Sequence, residues 1–317
     1  MDDEEISFLK GQGLEIRGEI GRGGYGLVYS VYSQVYKTIF ALKKIPLDRF
    51  KDCEIECFKQ IDDKHIVNLY RFFTHGSSAY LLMEYCPKDL CQLIDEQYYC
   101  IISEERARII YDMILGVKAC HDRNIAHCDI KPQNFLVDQY GRIKITDFGL
   151  SSLGSDGEEV ENFLFKGTKH YMAPEIYKKE YYDKYLADIW ALGVSIYYMF
   201  TKDYPFNADD TPTLVERMNR GLFPVDKIND PLLIKLIAKC LQPNPANRGN
   251  ASELLQMPYF LQFGFARSHV PNNGVHFKKV ADTIVKPMIP KVRSYMNMGG
   301  KFSYCKSQVP RLIVSNI

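Results

Sequence analysis

The sequence predicts an α+β fold in which strands come first and helices follow. Three observations lead there. Residues 16–45 alternate in the manner of strands on either side of a glycine-rich turn, Gly21-Arg22-Gly23-Gly24-Tyr25-Gly26. Residues 103–123 show helical periodicity. The apolar run from Ile189 to Phe200 is too short to span a bilayer and is expected as a buried helix. A chain of 317 residues can bury one large core or two modest ones.

Bulk composition narrows the functional classes. Hydrophobic content of 46% and charged content of 25% lie in the ordinary globular range, and a net charge of +1 offers no argument for nucleic acid or a polyanionic surface. Asp2, Asp3, Glu4 and Glu5 are the opposite of a secretory or transit signal. The nine cysteines are odd in number, scattered and without CxxC pairs, so reduced thiols in a cytosolic or nuclear protein are expected. Charge is uneven. Residues 265–317 hold nine Lys/Arg and one acid, a tail of +8 that leaves −7 on residues 1–264. Pro271, Pro287, Pro290, Pro310 and Gly299-Gly300 argue against a long helix in that tail. It is either a loosely ordered segment lying on the acidic body or a docking or autoinhibitory segment that binds within the chain or to a partner.

The chemistry concentrates in His127-Cys128-Asp129, Lys131, Asn134 and Asp147-Phe148-Gly149. An Asp, a Lys and an Asn at n, n+2 and n+5 can project from one tight loop. A second Asp arrives about a dozen residues later, from the end of a strand. Together they supply a group to orient a hydroxyl, a cation for a transferring phosphate, and two oxygen ligands of the kind Mg²⁺ accepts beside substrate phosphates. With these motifs the chain resembles the eukaryotic protein kinases, from about Ile16 to Phe260 and in family order. The resemblance implies a bilobal fold: a small antiparallel β-sheet lobe with one main helix, and a larger α-rich lobe. It implies a domain at 16–264, with lobes at 16–85 and 86–264, an N-terminal extension at 1–15 and the basic tail at 265–317. The implied cofactors are ATP and Mg²⁺ and the implied partners are protein substrates, with no role for nucleic acid or membrane.

In the first lobe, glycines let a hairpin backbone approach phosphates without side-chain clash. Dinucleotide-binding folds share such a turn, but there a helix follows. Here Leu27-Val28-Tyr29-Ser30-Val31-Tyr32 is β-branched and aromatic, so a second strand is expected. The resemblance assigns Gly21, Gly23, Gly26, Val28 and Ala41 to the nucleotide. Phe40-Ala41-Leu42-Lys43 is similar to the family's VAIK strand, and Lys43 is implied to bind the α/β-phosphates. A Lys inside an apolar strand needs a partner. Strand alternation puts Lys44 on the opposite face, where it is expected as a solvated charge. Glu54 is the implied partner of Lys43. Glu56 lies about 200° round the helix from it. Ile55, Phe58 and Ile61 should face inward. Only ten residues separate Lys43 from Glu54, so the helix should be short at its N-terminus, with Pro46 ending the strand. Tyr80 to Cys86 resembles the strand leading into the interlobe hinge. Met83 would sit behind the adenine, and backbone groups of Glu84 and Cys86 would bond it. Asp89 reads equally as a ribose or substrate contact and as the N-cap of a helix starting at Leu90.

In the second lobe, Ser103-Glu104-Glu105-Arg106 is expected as a capped helix start. That helix delivers the catalytic loop. By resemblance Asp129 accepts or orients the hydroxyl proton, Lys131 offsets charge on the γ-phosphate, and Asn134 and Asp147 hold Mg²⁺. Leu136 is assigned to the nucleotide. His127 is structural in the family, stacking with Phe148 and, with Phe58 and Leu69, forming the apolar stack of the active arrangement. Asp-Ile-Lys-Pro and Gly167 to Glu175 resemble the serine/threonine branch, in which Thr168 bonds the catalytic Asp and Lys. Its alternative reading is a phosphosite. Glu175 should pair with Arg248, and Asp188 should brace the catalytic loop.

The departures are informative. Cys128 stands where kinases switched on by loop phosphorylation usually carry Arg, and a thiol cannot supply the fork that binds a phosphate. Activity without activation-loop phosphorylation is therefore expected. At the positions where basophilic relatives hold acids this chain has Gln133, His170 and Tyr198, so weak preference for basic substrates is expected. Two other classes compete. A pseudokinase scaffold would have lost Lys43, Asp129, Asn134 or Asp147, and all four are present. A small-molecule kinase would lack the substrate platform at 167–175.

Overall fold

The computed structural model describes residues 1–23, 26–98, 100–153, 169–178 and 182–265. Helix α1 (Asp3–Gly11) is followed by a five-stranded antiparallel sheet in the order β1-β2-β3-β5-β4, formed by β1 (Leu14–Gly23), β2 (Gly26–Ser33), β3 (Thr38–Pro46), β4 (Leu69–His75) and β5 (Ser78–Glu84). Helix α2 (Asp52–Gln60) interrupts the strands. Beyond the hinge come β6 (Lys88–Asp89), α3 (Leu90–Gln97), α4 (Ser103–His121), β7 (Ile125–Ala126), β8 (Phe135–Val137), β9 (Ile143–Ile145) and β10 (Ser152–Leu153). Helices α5 (Lys184–Thr201), α6 (Thr211–Arg220), α7 (Pro231–Cys240), α8 (Ala251–Leu255) and α9 (Pro258–Leu261) complete the second lobe. This is the bilobal α+β arrangement that the sequence predicts. Among the described residues no helix is long and apolar enough to cross a membrane.

The first-lobe sheet is buried on both faces, and alternation along its strands sorts the residues. Ala41, Ile45, Leu81 and Met83 face α2 and the main core, with Ile55, Phe58 and Ile61 packed opposite. Phe40, Leu42, Tyr80 and Leu82 face the other way and form a second core with Leu9, Leu14, Tyr29 and Val31. The cover on that second face is α1. Its start is a capping box, in which Asp2 and Glu5 satisfy each other's backbone N–H, and Asp3, Glu4 and Glu5 complement the helix dipole. Leu9 is fully buried, and the Phe8 ring stacks on His75 at 4.1 Å. The acidic N-terminal residues thus belong to a docked helix. This overturns the expectation for Lys44: it is ion-paired to Glu5 under α1 and is not a solvated charge.

Helix α2 is nine residues long, as the short spacing after Lys43 predicts, and β3 ends at Pro46. The start of α4 departs from expectation. Ile102 occupies the N-cap with no side-chain hydrogen bond, so Ser103 is the first helical residue and caps nothing. Glu104 and Glu105 in the first turn still favour that end through the dipole.

The second lobe is built round α5, which is buried on nearly every side. Gly193 permits its close approach to α7, since a Cβ there would lie 2.5 Å from the Cys240 Cβ. Arg248, 4% exposed, grips Glu175 through two hydrogen bonds of 2.5 and 2.8 Å. It also donates to the carbonyls of Leu186 and Gln242 and lies over the Trp190 ring. One guanidinium thereby ties the Pro174–Lys178 turn to α5 and to the loop after α7. Removing one partner of such a buried pair leaves the other charge uncompensated. Arg248→Met should lower unfolding stability by about 3–5 kcal/mol, read from the midpoint of a urea titration; a loss under about 1 kcal/mol would show that the pair is solvated.

Candidate active site

Strand β3 delivers Lys43 to the cleft between the lobes. Its Nζ lies 2.6 Å from Glu54 Oε1 and 2.7 Å from Asp147 Oδ1. Burial alone would depress the ammonium pKa, but Asp147 and Glu54 outweigh it and raise it above the ordinary lysine range. Burial likewise opposes ionisation of Asp147, and Lys43 overrides it, so that carboxyl sits below its usual range. Glu54 is pushed up by burial against the pull of Lys43. Glu56 is elsewhere, paired with Lys59 at 2.8 Å.

The catalytic loop follows β7 and hangs from one buried carboxylate. Asp188, one turn into α5, accepts the backbone N–H groups of His127 at 2.7 Å and Cys128 at 2.8 Å, and bonds His121 Nε2 at 3.0 Å. Both nitrogens of His127 are engaged. Nε2 donates to the Thr146 carbonyl at 2.9 Å, and Nδ1 accepts the Asp129 N–H at 3.3 Å. No ring nitrogen is left to act as a base. His127 and Phe58 pack against Phe148, with ring centroids 5.1 and 4.9 Å away, and Leu69 is buried in the same core.

Asp129 is the hub of the loop's polar contacts. Its Oδ2 accepts from Lys131 Nζ at 2.7 Å and from Asn134 Nδ2 at 2.9 Å, and Asn134 also donates to the Asp129 carbonyl at 2.8 Å. Oδ1 has no hydrogen bond among the described residues and can meet an incoming hydroxyl. Because the Asn134 amide nitrogen is spent on Asp129, its oxygen is left for a cation. Two residues here adopt positive φ without being glycine: Cys128 at 62° and Asp147 at 67°. Such backbone costs about 1–2 kcal/mol per residue, and Asp tolerates it better than Cys does.

Fourteen of the residues named from the sequence line one cleft of about 750 Å³: Gly21, Gly26, Val28, Ala41, Lys43, Met83, Glu84, Cys86, Asp89, Asp129, Lys131, Asn134, Leu136 and Asp147. Gly23 is outside that lining and pairs with Gly26 across the hairpin. Glu54 stands behind Lys43, 2% exposed. Thr168 lies outside the described residues, as does the tail from 266. Asp89 is the N-cap of α3, accepting from the Gln92 N–H at 2.8 Å, and it also borders the cleft. The Glu84 N–H is taken by the Asn68 carbonyl at 2.9 Å, so of its two backbone groups only the carbonyl can serve a base.

The sequence reading missed how the hinge is fastened. The Glu84 side chain accepts from Asn68 Nδ2 at 2.7 Å and from Lys144 Nζ at 2.9 Å, joining β5 to β9 across the lobes. Lys144 lies between two buried isoleucines in a strand, the same signal that singled out Lys43. Ile20 and Gln92 also line the cleft. No group of three or more His, Cys, Asp or Glu side chains able to hold a metal occurs among the described residues. The Asn134 amide and the Asp147 carboxylate nonetheless form a hard oxygen donor pair, which suits Mg²⁺ when phosphate oxygens complete the shell.

Known sequences carry the same framework. Carbon catabolite-derepressing protein kinases of Candida glabrata and Saccharomyces cerevisiae are each 30% identical over 250 residues, covering 76% of this chain and 40% and 39% of their own length. CBL-interacting serine/threonine-protein kinase 20 of Arabidopsis thaliana is 29% identical over 285 residues, 86% of this chain and 63% of its own. The chain therefore spans between about two-fifths and two-thirds of the length of these relatives. The sequence profile of the protein kinase domain matches residues 14–260, which takes in the sheet, the cleft and the helices below it, and by that match the chain belongs to the protein kinase family.

Proposed function

We propose that this protein transfers the γ-phosphoryl group of ATP to serine or threonine hydroxyls of protein substrates. The observation that carries this reading is the convergence of Lys43, Asp129, Asn134 and Asp147 on one cleft, from both lobes. Lys43, held charged by Glu54 and Asp147, would bind the α- and β-phosphates. The glycine hairpin would cover them with backbone N–H groups. Asp129 would orient the substrate hydroxyl through Oδ1 and take its proton. The hydroxyl oxygen bonds to the γ-phosphorus as the bond to the β,γ-bridging oxygen breaks, and Lys131 offsets charge on the transferring group. Asn134 and Asp147 would hold Mg²⁺, which when bound neutralises phosphate charge. The serine/threonine assignment rests on Lys131, two residues after Asp129, and on one relative so named. A scaffold without transfer has no lost catalytic group to support it.

Two features of regulation and preference accompany this reading. Cys128 cannot bind a phosphate: its thiol is pushed above the ordinary range, first by burial and then by Asp188. The start of the loop after Asp147 is instead held by backbone pairing of β10 with β7 and by Lys184, which donates to the Ser152 hydroxyl at 2.9 Å. On the substrate side, His170 stacks on Tyr204 at 4.1 Å and Tyr198 packs against the same ring at 5.5 Å, so these positions carry aromatic surface and no carboxylate.

Radiolabel transfer from Mg-ATP to a generic protein substrate tests the activity. Asp129→Asn and Lys43→Met should each fall by about 10²–10⁴-fold, and labelling equal to wild type by both would assign the signal to a contaminant. Phosphatase treatment of the purified protein should leave its rate unchanged within about twofold. A large loss traceable to a site between 147 and 175 would overturn independence from loop phosphorylation. A positional peptide array should show no dominant Arg at the second and third positions before the phosphoacceptor; a profile led by Arg there would mean that acids elsewhere shape the groove.

A further inference from the structure

Strand β3 is gripped by carboxylates on both of its faces. Lys43 and Lys44 are neighbours, so their side chains leave the strand in opposite directions. Lys43 meets Glu54 and Asp147 in the cleft. On the far face Lys44 is ion-paired to Glu5 of α1, whose carboxylate also accepts the Tyr80 hydroxyl at 2.6 Å. Lys44 and Tyr80 are direct cross-strand partners on β3 and β5. One buried carboxylate therefore clamps a β3–β5 pair from outside the sheet. Burial opposes the charge on Glu5, but the bonds from Lys44 and Tyr80 prevail and keep it below the usual glutamate range.

The clamp reaches the nucleotide machinery by a second route. The Lys44 backbone is the seat of the glycine hairpin: a Cβ on Gly26 would lie 2.0 Å from the Lys44 carbonyl oxygen. The height of Lys44 thus fixes two things at once, the strand position from which Lys43 reaches the cleft and the floor on which the hairpin rests. Helix α1 is in turn immobilised by buried Leu9, by Phe8 on His75, and by Gln12, which accepts from Arg71 Nη2 of β4 at 2.7 Å. It spans β3, β5 and β4. It also precedes residue 14, where the match to the family's domain begins.

We propose that Glu5 is a positioning residue for nucleotide binding: by clamping Lys44 and Tyr80 from the face away from the cleft, it sets Lys43 and the glycine hairpin over the triphosphate. This rests on the cleft being the ATP site. A cushion that merely stabilises the lobe would lower the melting temperature and leave nucleotide affinity alone, and that difference is measurable. In the full chain, Glu5→Gln keeps the shape of the side chain and removes its charge. Its KM for Mg-ATP, and its Kd for a fluorescent ATP analogue, should rise by at least about 5-fold. KM for the protein substrate and kcat should stay within about twofold. Tyr80→Phe, which keeps the ring and deletes one bond to Glu5, should shift the same two quantities in the same direction by less. It also serves as the test should Glu5→Gln fail to fold. An unchanged nucleotide Kd and KM in a folded variant, with or without a lower melting temperature, would overturn the proposal. Failure of wild type to bind the analogue would overturn the ATP-site reading beneath it. Binding without phosphoryl transfer would overturn only the proposed activity, and the two Kd values would still decide the role of Glu5.

Discussion

The buried Lys43 ammonium is the contact on which the rest of the structure depends. Its two carboxylate partners come from a helix and from a loop 104 residues away in sequence. Desolvating an ion costs several kcal/mol, and only close, well-aligned partners repay it. The cost is therefore met only when β3, α2 and the segment after β9 are all in place together. Each lobe could bury apolar surface without the other; the ammonium takes one carboxylate partner from each. Two carboxylates around one ammonium leave a net negative site, and Asp147 is also one of the two residues proposed to hold Mg²⁺. The trio is thus satisfied as it stands and remains able to receive a metal-bound triphosphate.

A second constraint is backbone strain at the chemical centre. Cys128 and Asp147 both sit in left-handed backbone, on either side of Asn134. Glycine at either place would remove the strain, but Asp147 needs its carboxylate, and Cys128 lies in the segment that Asp188 holds. The hydrogen bonds from His127 and Cys128 to Asp188 offset the cost and over-determine the geometry. His127 adds two more constraints, one bond to Thr146 and one from Asp129. Asp129, the proposed catalytic acid, therefore follows a backbone held by a buried helix, and it borders the cleft.

Much of this could be read from the sequence because it is local. Alternation gives the faces of β3, the Lys43-to-Glu54 spacing gives a short α2, and the n, n+2, n+5 pattern places Asp129, Lys131 and Asn134 on one loop. What failed was non-local or without a residue signature. Lys44 looked solvated because its partner is 39 positions earlier, in an acidic stretch whose few apolar residues, Met1, Ile6, Phe8 and Leu9, do not announce a docked helix. The hinge fastener Lys144 carried a usable signal that went unread. Asp89 could not be decided because both readings ask for the same residue type at the same place, and the cap leaves it at the rim of the cleft. Positive φ had no residue signature at Cys128, and at Asp147 only the general tolerance of Asp for left-handed backbone.

The two buried faces of the first-lobe sheet bear on how a lobe with so short an α2 keeps its shape. Only Glu54, Ile55, Cys57 and Phe58 of that helix are buried, and its N-cap Lys51 makes no side-chain hydrogen bond. A helix with so small a footprint gives β3 a modest hold on the cleft side. Hydrophobic packing scales with area, and nine residues supply little of it. The opposite face supplies the remainder: a second core under α1, with a charge pair embedded where the first core has its own. Apolar packing alone would hold the sheet but tolerate sliding, because dispersion contacts are non-directional. The Glu5 bonds to Lys44 and Tyr80 are directional and fix the register of α1 against the strands. The lobe therefore carries one ion-paired lysine on each side of a single strand, and that strand is the one that carries Lys43 into the cleft.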